Sequence, residues 1–429
     1  MPTAATHPPR IVILGGGYGG VYCAQALERR LRRPVQAQIT LVDRHNYFVC
    51  YPLLVEAGTG SLEPRHAVVS IRAFLKRSRF MMAEVTAVDT ARRIVTVRLA
   101  ETGQTHELPY DHLVIALGSI TRLPNVPGLR QFAGELKSLS DAVAMRDRAI
   151  ALLETADATS DPNQRRELLH FVVVGGNFTG VEVAGELDAF LNAASRNYRR
   201  VHIDEIKVTL VERGPKILGV LGDDLADYAM QNLRRRGVDV RVNDSVTEVG
   251  KDFAVLQSGE RLRTHMVMWC AGIAPTPVTL GMPVPRDEHG YILCDPDCRV
   301  KGLPDVWAIG DCAVLHSSSG AKYPATAQHA IREGKHLAAN LARVIRGESP
   351  TESDIESQGS LAALGCRTGV AKIFGVKLSG FWAWWMWRTV YLLKTPGWGR
   401  RVRVAVDWTL DLFFRRDYVQ LGVHKRNSA

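Results

Sequence analysis

Two stretches of this 429-residue chain put glycines, a helix start and an acid in the order that a bound pyrophosphate needs. RIVILGGGYGGVYCAQAL (10–27) carries Gly15, Gly17 and Gly20, and ITLVDRH then supplies Asp43. HFVVVGGNFTGVEVAGEL (170–187) carries Gly175 and Gly180, and VTLVERG then supplies Glu212. At an offset of 160 the two copies are identical at Gly15/Gly175, Gly16/Gly176, Gly20/Gly180, Val21/Val181, Ala24/Ala184 and Leu27/Leu187. The first glycine allows a tight turn, the second lets backbone approach a phosphate, and the third lets the helix pack closely on the strand. The helix N-terminus then offers free N–H groups and a positive dipole end. The acid suits a ribose hydroxyl, and at Glu212 it disfavours a 2′-phosphate, so the second site is expected to prefer NADH to NADPH. Two copies with strand, helix and acid in order are strong evidence where one GxGxxG is weak. Asn177 replaces the middle glycine of the second copy. Asn tolerates positive φ, so the turn is expected to survive, with the side chain crowding the pyrophosphate.

Further strand ends complete the pattern. DHLVIALGS (111–119) ends at Gly118, DVWAIGDCA (305–313) at Gly310-Asp311, and VMWCAGIAP (267–275) supplies Gly272. Where the second copy has Glu182, the first has Tyr22. Glu182 reads either as a carboxylate in a helix first turn, favoured by the dipole, or as a proton-handling group. Gln328 offers a side-chain amide to a carbonyl oxygen, or faces solvent as an ordinary helix residue. His329 is a candidate proton donor, with a solvent-facing position the plainer reading. Glu56, in YPLLVEAGTG, has no assigned role. No nucleophilic serine, paired-carboxylate or metal-ligand motif is present: the seven cysteines lie at 23, 50, 270, 294, 298, 312 and 366 with no CxxC, so free thiols and no metal are expected.

The elements that must hold these groups are apolar runs of buried parallel strands, Ile11–Leu14 and Phe171–Val174, each leading into a helix. The expected fold class is α/β: two Rossmann-like dinucleotide-binding domains, the second inserted in the first, plus a C-terminal helical membrane-associating module. The expected boundaries are 1–125 and 285–355 for the first domain, 126–284 for the second, and 356–429 for the last module. With 46% hydrophobic and 23% charged residues the composition is globular. No secretory signal is read in MPTAATHPPR and no 18-residue apolar window is present, so no transmembrane helix is expected.

Residues 373–429 hold 10 Lys/Arg against 3 Asp/Glu, most of the net charge of +10. The same end holds FWAWWMWR (381–388), with four of the eight tryptophans. Helices are expected over roughly 380–395 and 400–415, broken by Pro396-Gly397, after a polar linker or hairpin loop at 341–359. In the second, Arg403, Asp407, Asp411 and Arg415 form a polar stripe, with Val402, Val406, Leu410 and Phe413 on another face. Tryptophan and basic residues together suit an anionic membrane surface meeting residues about 380–416. The alternative is packing on the body or a dimer interface; nucleic acid is not expected.

The chain resembles the two-dinucleotide-domain flavoprotein reductases and, within them, the type II NADH dehydrogenases. GGGYGG, YPLLVEAGTG (51–60), VEVAGEL, VERGPKIL (211–218), GDCA, PATAQHAIREGK (324–335) and residues 384–421 carry the resemblance. It implies FAD on Gly15, Gly17, Gly20, Asp43, Gly118, Asp311 and the Ala327 segment. It implies NADH on Gly175, Gly180, Glu212 and Gly272. It also implies Glu182 between nicotinamide and flavin and Gln328 on the quinone wall. The expected reaction passes hydride from NADH to FAD and two electrons to a membrane quinone, without proton pumping, in a peripheral homodimer at the cytoplasmic face of the cell membrane. Sulfide:quinone oxidoreduction, a soluble reductase of a small electron-transfer protein, and a non-catalytic redox-sensing flavoprotein are the alternatives; the first needs redox cysteines beside the flavin, and the tryptophan-rich end disfavours the second.

Overall fold

The computed structural model describes residues 7–31, 37–317 and 320–422. The chain forms two compact units, one from Met1–Val49, Val69–Ile120 and Ile273–Ser357, the other from Cys50–Val68, Thr121–Gly272 and Gln358–Ala429.

The first unit is built on a six-stranded sheet, and its strands Leu303–Ala308, His112–Ile115, Arg10–Leu14, Gln38–Asp43 and Arg79–Met82 run parallel in that order. Register brings Leu14 level with Val42 and Ile115, and Ile115 level with Ala308. The carboxyl ends of these strands therefore share one edge, the place where such sheets hold ligands. Ile11, Ile13, Leu14, Leu41, Leu113 and Val114 are fully buried, as strands covered on both faces require. Helix Tyr18–Arg30 packs on helix Ala327–Ile345 at glycine contacts: a Cβ on Gly334 would lie 2.4 Å from the Gly19 carbonyl oxygen.

The second unit repeats the plan. Strands Ala133–Gly134, Met266–Trp269, His170–Val174, Lys207–Val211 and Asp239–Arg241 form a parallel sheet in that order, with Val174 level with Val211 and Trp269. Helix Phe178–Ala194 follows the glycine loop. The α/β class and the insertion of the second dinucleotide fold within the first are as the sequence predicts, since strand Leu303–Ala308 returns to the first sheet.

The C-terminal residues differ from expectation at their start. Strands Gly359–Gly365, Thr368–Ile373 and Val376–Gly380 form an antiparallel sheet before the helices begin. Its hairpins turn at Cys366-Arg367 (φ +48°, +56°) and Phe374-Gly375 (φ +47°, +83°), the positive-φ geometry that twists with the strands. Helix Phe178–Ala194 lies against this sheet: a Cβ on Gly185 would sit 2.1 Å from the Leu364 carbonyl oxygen. The helices run Phe381–Lys394 and Trp398–Phe413, broken at Pro396-Gly397 as predicted. The amphipathic faces of the second are turned the opposite way from a water-soluble helix. Asp407 and Asp411 point inward to ion pairs, while Val402, Val406, Leu410 and Phe413 are exposed. Among the described residues no helix is long and apolar enough to cross a membrane.

Candidate active site

The first glycine loop is strained where only glycine is comfortable. Gly15 has φ +106°, and a Cβ on Gly20 would meet the Gly15 carbonyl oxygen at 1.9 Å, so helix Tyr18–Arg30 starts hard against the strand. Gly17 faces open space and caps the helix without a side chain. This leaves the helix N-terminus available to a phosphate. Asp43 already works within the protein: its Oδ2 accepts from the Gly16 N–H at 2.6 Å and its Oδ1 from the His45 N–H at 2.7 Å. Two accepted bonds leave lone pairs for a ribose hydroxyl. The loop thus fits a dinucleotide.

The second loop repeats the geometry with one change. Gly175 has φ +113°, Gly180 meets the Gly175 carbonyl as Gly20 meets Gly15, and Glu212 accepts from Gly176 N–H at 2.5 Å and Gly214 N–H at 2.6 Å. Asn177 has φ −78° and ψ −177°, extended backbone open to any residue, so tolerance of positive φ plays no part. Its side chain caps the helix. Oδ1 accepts from the Gly180 N–H at 3.0 Å, and Nδ2 donates to the Cys270 carbonyl at 2.6 Å. The amide is thereby tied to the protein, and one of the N–H groups free in the first loop is taken here.

Gly118 (φ +64°) faces open space, and Gly272 (φ +76°) lies over the Arg122 side chain. Asp311 accepts from the Ser119 hydroxyl at 2.8 Å. The adjoining cleft of the first unit is lined by Gly310, Asp311, Tyr323, Thr326, His329 and Glu333. His329 is 2% exposed, against the expectation of a solvent-facing ring. Its Nδ1 is 2.7 Å from the hydroxyl of Thr326, at the start of helix Ala327–Ile345, and burial pushes its pKa down. Ala327 and Gln328 are half-buried, and the Gln328 amide donates to the Ser357 hydroxyl at 3.2 Å. Glu333, which sequence reasoning missed, accepts from the Gly310 N–H at 2.6 Å and is pushed up to about 7 by burial.

Glu182 is not in the first turn of its helix. Helix Phe178–Ala194 opens without an acid there, so the dipole does not account for the residue. It is buried, its Oε1 accepting from the Ala363 N–H at 3.1 Å and from the Trp387 indole N–H at 3.0 Å. Burial pushes its pKa up to about 8 against the lowering effect of those two donors. Both donors come from the C-terminal residues, from strand Gly359–Gly365 and from FWAWWMWR.

Glu56 is its neighbour in the same unit. The Trp408 indole donates to Glu56 Oε2 at 2.6 Å, and Arg388 Nη2 lies 3.4 Å from Oε1. Arg388 also pairs with Asp411 at 3.2 Å and stacks over the rings of Trp384 and Trp408. Arg416 joins Asp411 at 3.0 Å to Glu186 at 3.1 Å. Burial pushes Glu56 up to about 7, opposed by Arg388 and reinforced by Glu186. The seven cysteines are free, six of them buried, and burial pushes the Cys312 thiol up to about 12, far from a reactive thiolate. Among the described residues no group of His, Cys, Asp and Glu is arranged to hold a metal ion.

Residues 9–334 match the pyridine nucleotide-disulphide oxidoreductase family, and residues 357–417 match the NDH2 C-terminal domain. A probable NADH dehydrogenase of Dictyostelium discoideum is 31% identical, covering 95% of this chain and 90% of its own. The type II NADH:quinone oxidoreductase Ndh of Mycobacterium tuberculosis is 30% identical over 97% of this chain and 90% of its own. The chain belongs to the type II NADH dehydrogenases. It is an FAD-dependent NADH:quinone oxidoreductase of that family, as the glycine loops and the C-terminal residues together predict. In fold it resembles NDH2 of Plasmodium falciparum solved with NADH, at a TM-score of 0.89 and 22% identity, covering 96% of this chain and all of that one. The sulfide:quinone oxidoreductase of Aquifex aeolicus is more distant, at a TM-score of 0.72 and 16% identity over 95% of this chain.

Proposed function

We propose that residues 1–125 and 285–355 hold FAD, that residues 126–284 hold NADH, and that residues 356–429 seat the enzyme on a membrane that carries its quinone. The doubled glycine loop, each copy with its own acid, carries this reading. Gly15, Gly17, Gly20, Asp43, Gly118, Asp311 and Ala327 hold FAD. Gly175, Gly180, Glu212 and Gly272 hold NADH, with Glu212 turned against a 2′-phosphate. FAD, when bound, supplies the two-electron chemistry. The protein's part is to bind, orient and manage one proton. Hydride carries two electrons and one hydrogen nucleus, a quinol needs two, and so one proton per turnover comes from the medium. Glu182 is the group we assign to that proton, because it is buried and pushed up to about 8. Gln328 orients the quinone through its amide.

The outward apolar stripe supports membrane attachment. Phe381, Trp382, Trp385, Trp398 and Phe413 are each at least half exposed, beside Arg403 and Arg415. Such rings sit among acyl chains with their N–H near headgroups, and each nearby basic group adds about 1 kcal/mol on an anionic surface. A second copy of the chain is the other occupant this face suits, giving a homodimer. The cytoplasmic face of the cell membrane, where NADH is available, is the side we assign.

Purified holoenzyme tests the reading. Anaerobic NADH should bleach the flavin absorbance, and a short-chain quinone should restore it. A flavin band untouched by NADH, or quinone reduction by sulfide alone, would overturn it.

A further inference from the structure

The ion-pair cluster under the C-terminal helices is short of positive charge. It holds four carboxyl groups, Glu56, Glu182, Glu186 and Asp411, against the guanidiniums of Arg388 and Arg416. Arg146, on helix Leu139–Ala158, is also buried and donates to the Asp417 carbonyl. Counting it as a third cation still leaves one carboxyl without a partner charge. Asp188 and Arg236 pair with each other at 2.6 Å and change nothing in the balance. Tyr391 faces Glu182 and is held neutral by burial.

An uncompensated buried carboxylate is costly, and the group keeps a proton instead. Asp411 bridges both arginines and Glu186 pairs with Arg416, so each of these two has its partner cations at 3.0–3.2 Å. Glu56 shares Arg388 with Asp411 at the longer distance, and among the described residues Glu182 pairs with no cation, only with two N–H donors. The retained proton therefore falls to these two. Each also feels the charge of Glu186, and Glu182 feels that of Glu56. Glu56 is linked to Glu182 through structure as well. Arg388, bound by Glu56, is the next residue after Trp387, whose indole binds Glu182.

We propose that Glu56 is a positioning and tuning partner of Glu182: the two form one coupled acid pair, and the charge on Glu56 sets how tightly Glu182 holds its proton. The inference rests on the assignment of the reaction's proton to Glu182 and names the residue that governs it. Only proton transfer is involved. The pair gives up one proton for each quinol formed and recovers one from solvent, so no oxidant or reductant is needed beyond NADH and quinone.

Infrared titration of protonated carboxyl groups in the resting holoenzyme tests the coupling without turnover. E56Q should delete one carboxyl step and move the Glu182 step down by roughly one pH unit, the scale of a nearby like charge. E182Q should remove the upper carboxyl step and leave the Glu56 step nearly in place, because Glu182, the weaker acid of the pair, is still protonated while Glu56 titrates. Glu333 titrates separately and should stay in place in both variants. Should E56Q not retain flavin, W408F serves: it removes a donor to ionised Glu56 and should raise the Glu56 step. A Glu182 step left unmoved by E56Q would overturn the pair, as would a Glu182 step that does not fall in W408F when the Glu56 step has risen. Full turnover of E182Q with the Glu182 shift present in E56Q would remove the catalytic assignment of Glu182 while supporting the coupling.

Discussion

The indole N–H of Trp387 donates to the carboxylate of Glu182 at 3.0 Å, with both side chains buried. A residue from the tryptophan-rich stretch thus holds the acid that follows the second glycine loop. The tryptophans of FWAWWMWR divide by direction. Trp384 and Trp387 are buried, while Trp382 and Trp385 are exposed. One helix therefore has two faces: its inner face supports the acid cluster and its outer face is exposed.

W387F removes a donor that favours ionised Glu182 and keeps most of the ring packing. The Glu182 pKa should rise by about one unit, the effect of losing one hydrogen bond to a charged acceptor. The kcat–pH profile, measured at full flavin content, should shift upward by that amount. An unchanged profile would show that Trp387 only packs.

The buried acids should contribute stability that falls as pH rises across the range in which they titrate. Glu56, Glu182 and Glu333 are held above their ordinary value of 4.5, at about 7, 8 and 7. Between pH 4.5 and about 8 these three groups therefore bind more protons in the folded chain than in the unfolded chain. Their contribution is complete below the unfolded pKa and is lost as pH climbs through the folded values. Urea unfolding at several pH values should show a shallower slope in the E56Q/E182Q double variant than in the parent. Equal slopes would contradict the raised values.

E212Q replaces an acceptor that serves two loop N–H groups with an amide that serves one of them. It should lower kcat/KM for NADH by about tenfold to a hundredfold, the cost of one or two charge-assisted bonds. It should narrow the preference for NADH over NADPH while flavin content stays normal. Paired kinetics with the two nucleotides check this, and an unchanged ratio would count against Glu212 as the selecting group.

Membrane attachment is best tested on the exposed stripe. Truncation before Gly380 would also remove Trp387, Arg388 and Trp408 and disturb both acids. The triple variant W398S/V402S/F413S touches only exposed side chains. It should weaken binding to anionic vesicles by tenfold or more, given about 25 cal/mol per Å² of apolar surface kept from water. Turnover with a short-chain quinone should hold. Equal vesicle binding by parent and variant would redirect the face to a second subunit, which sedimentation would reveal.

The glycine loops were legible in the sequence because their chemistry is local: strand, turn, helix and acid follow in a fixed order. Gly15, Gly20, Asp43 and Glu212 occupy the turns and strand ends that this order predicts. The acid cluster was not legible, because Glu56 meets Arg388 and Glu182 meets Trp387 across more than 200 residues. The three-stranded sheet was missed because its hairpins turn on Cys366-Arg367 and Phe374-Gly375, without an Asn-Gly or Asp-Gly signal. Periodicity showed that helix Trp398–Phe413 has two faces but not which one turns inward. Asp407 and Asp411 face in because His66, Arg388 and Arg416 wait there.

Glu182 carries the central claim, and E182Q tests it most directly. The substitution keeps the size and an acceptor for Trp387 while removing the exchangeable proton. The variant should purify with flavin content equal to the parent and should turn over NADH and quinone at least tenfold more slowly. Parental kcat and KM at equal flavin content would contradict the account.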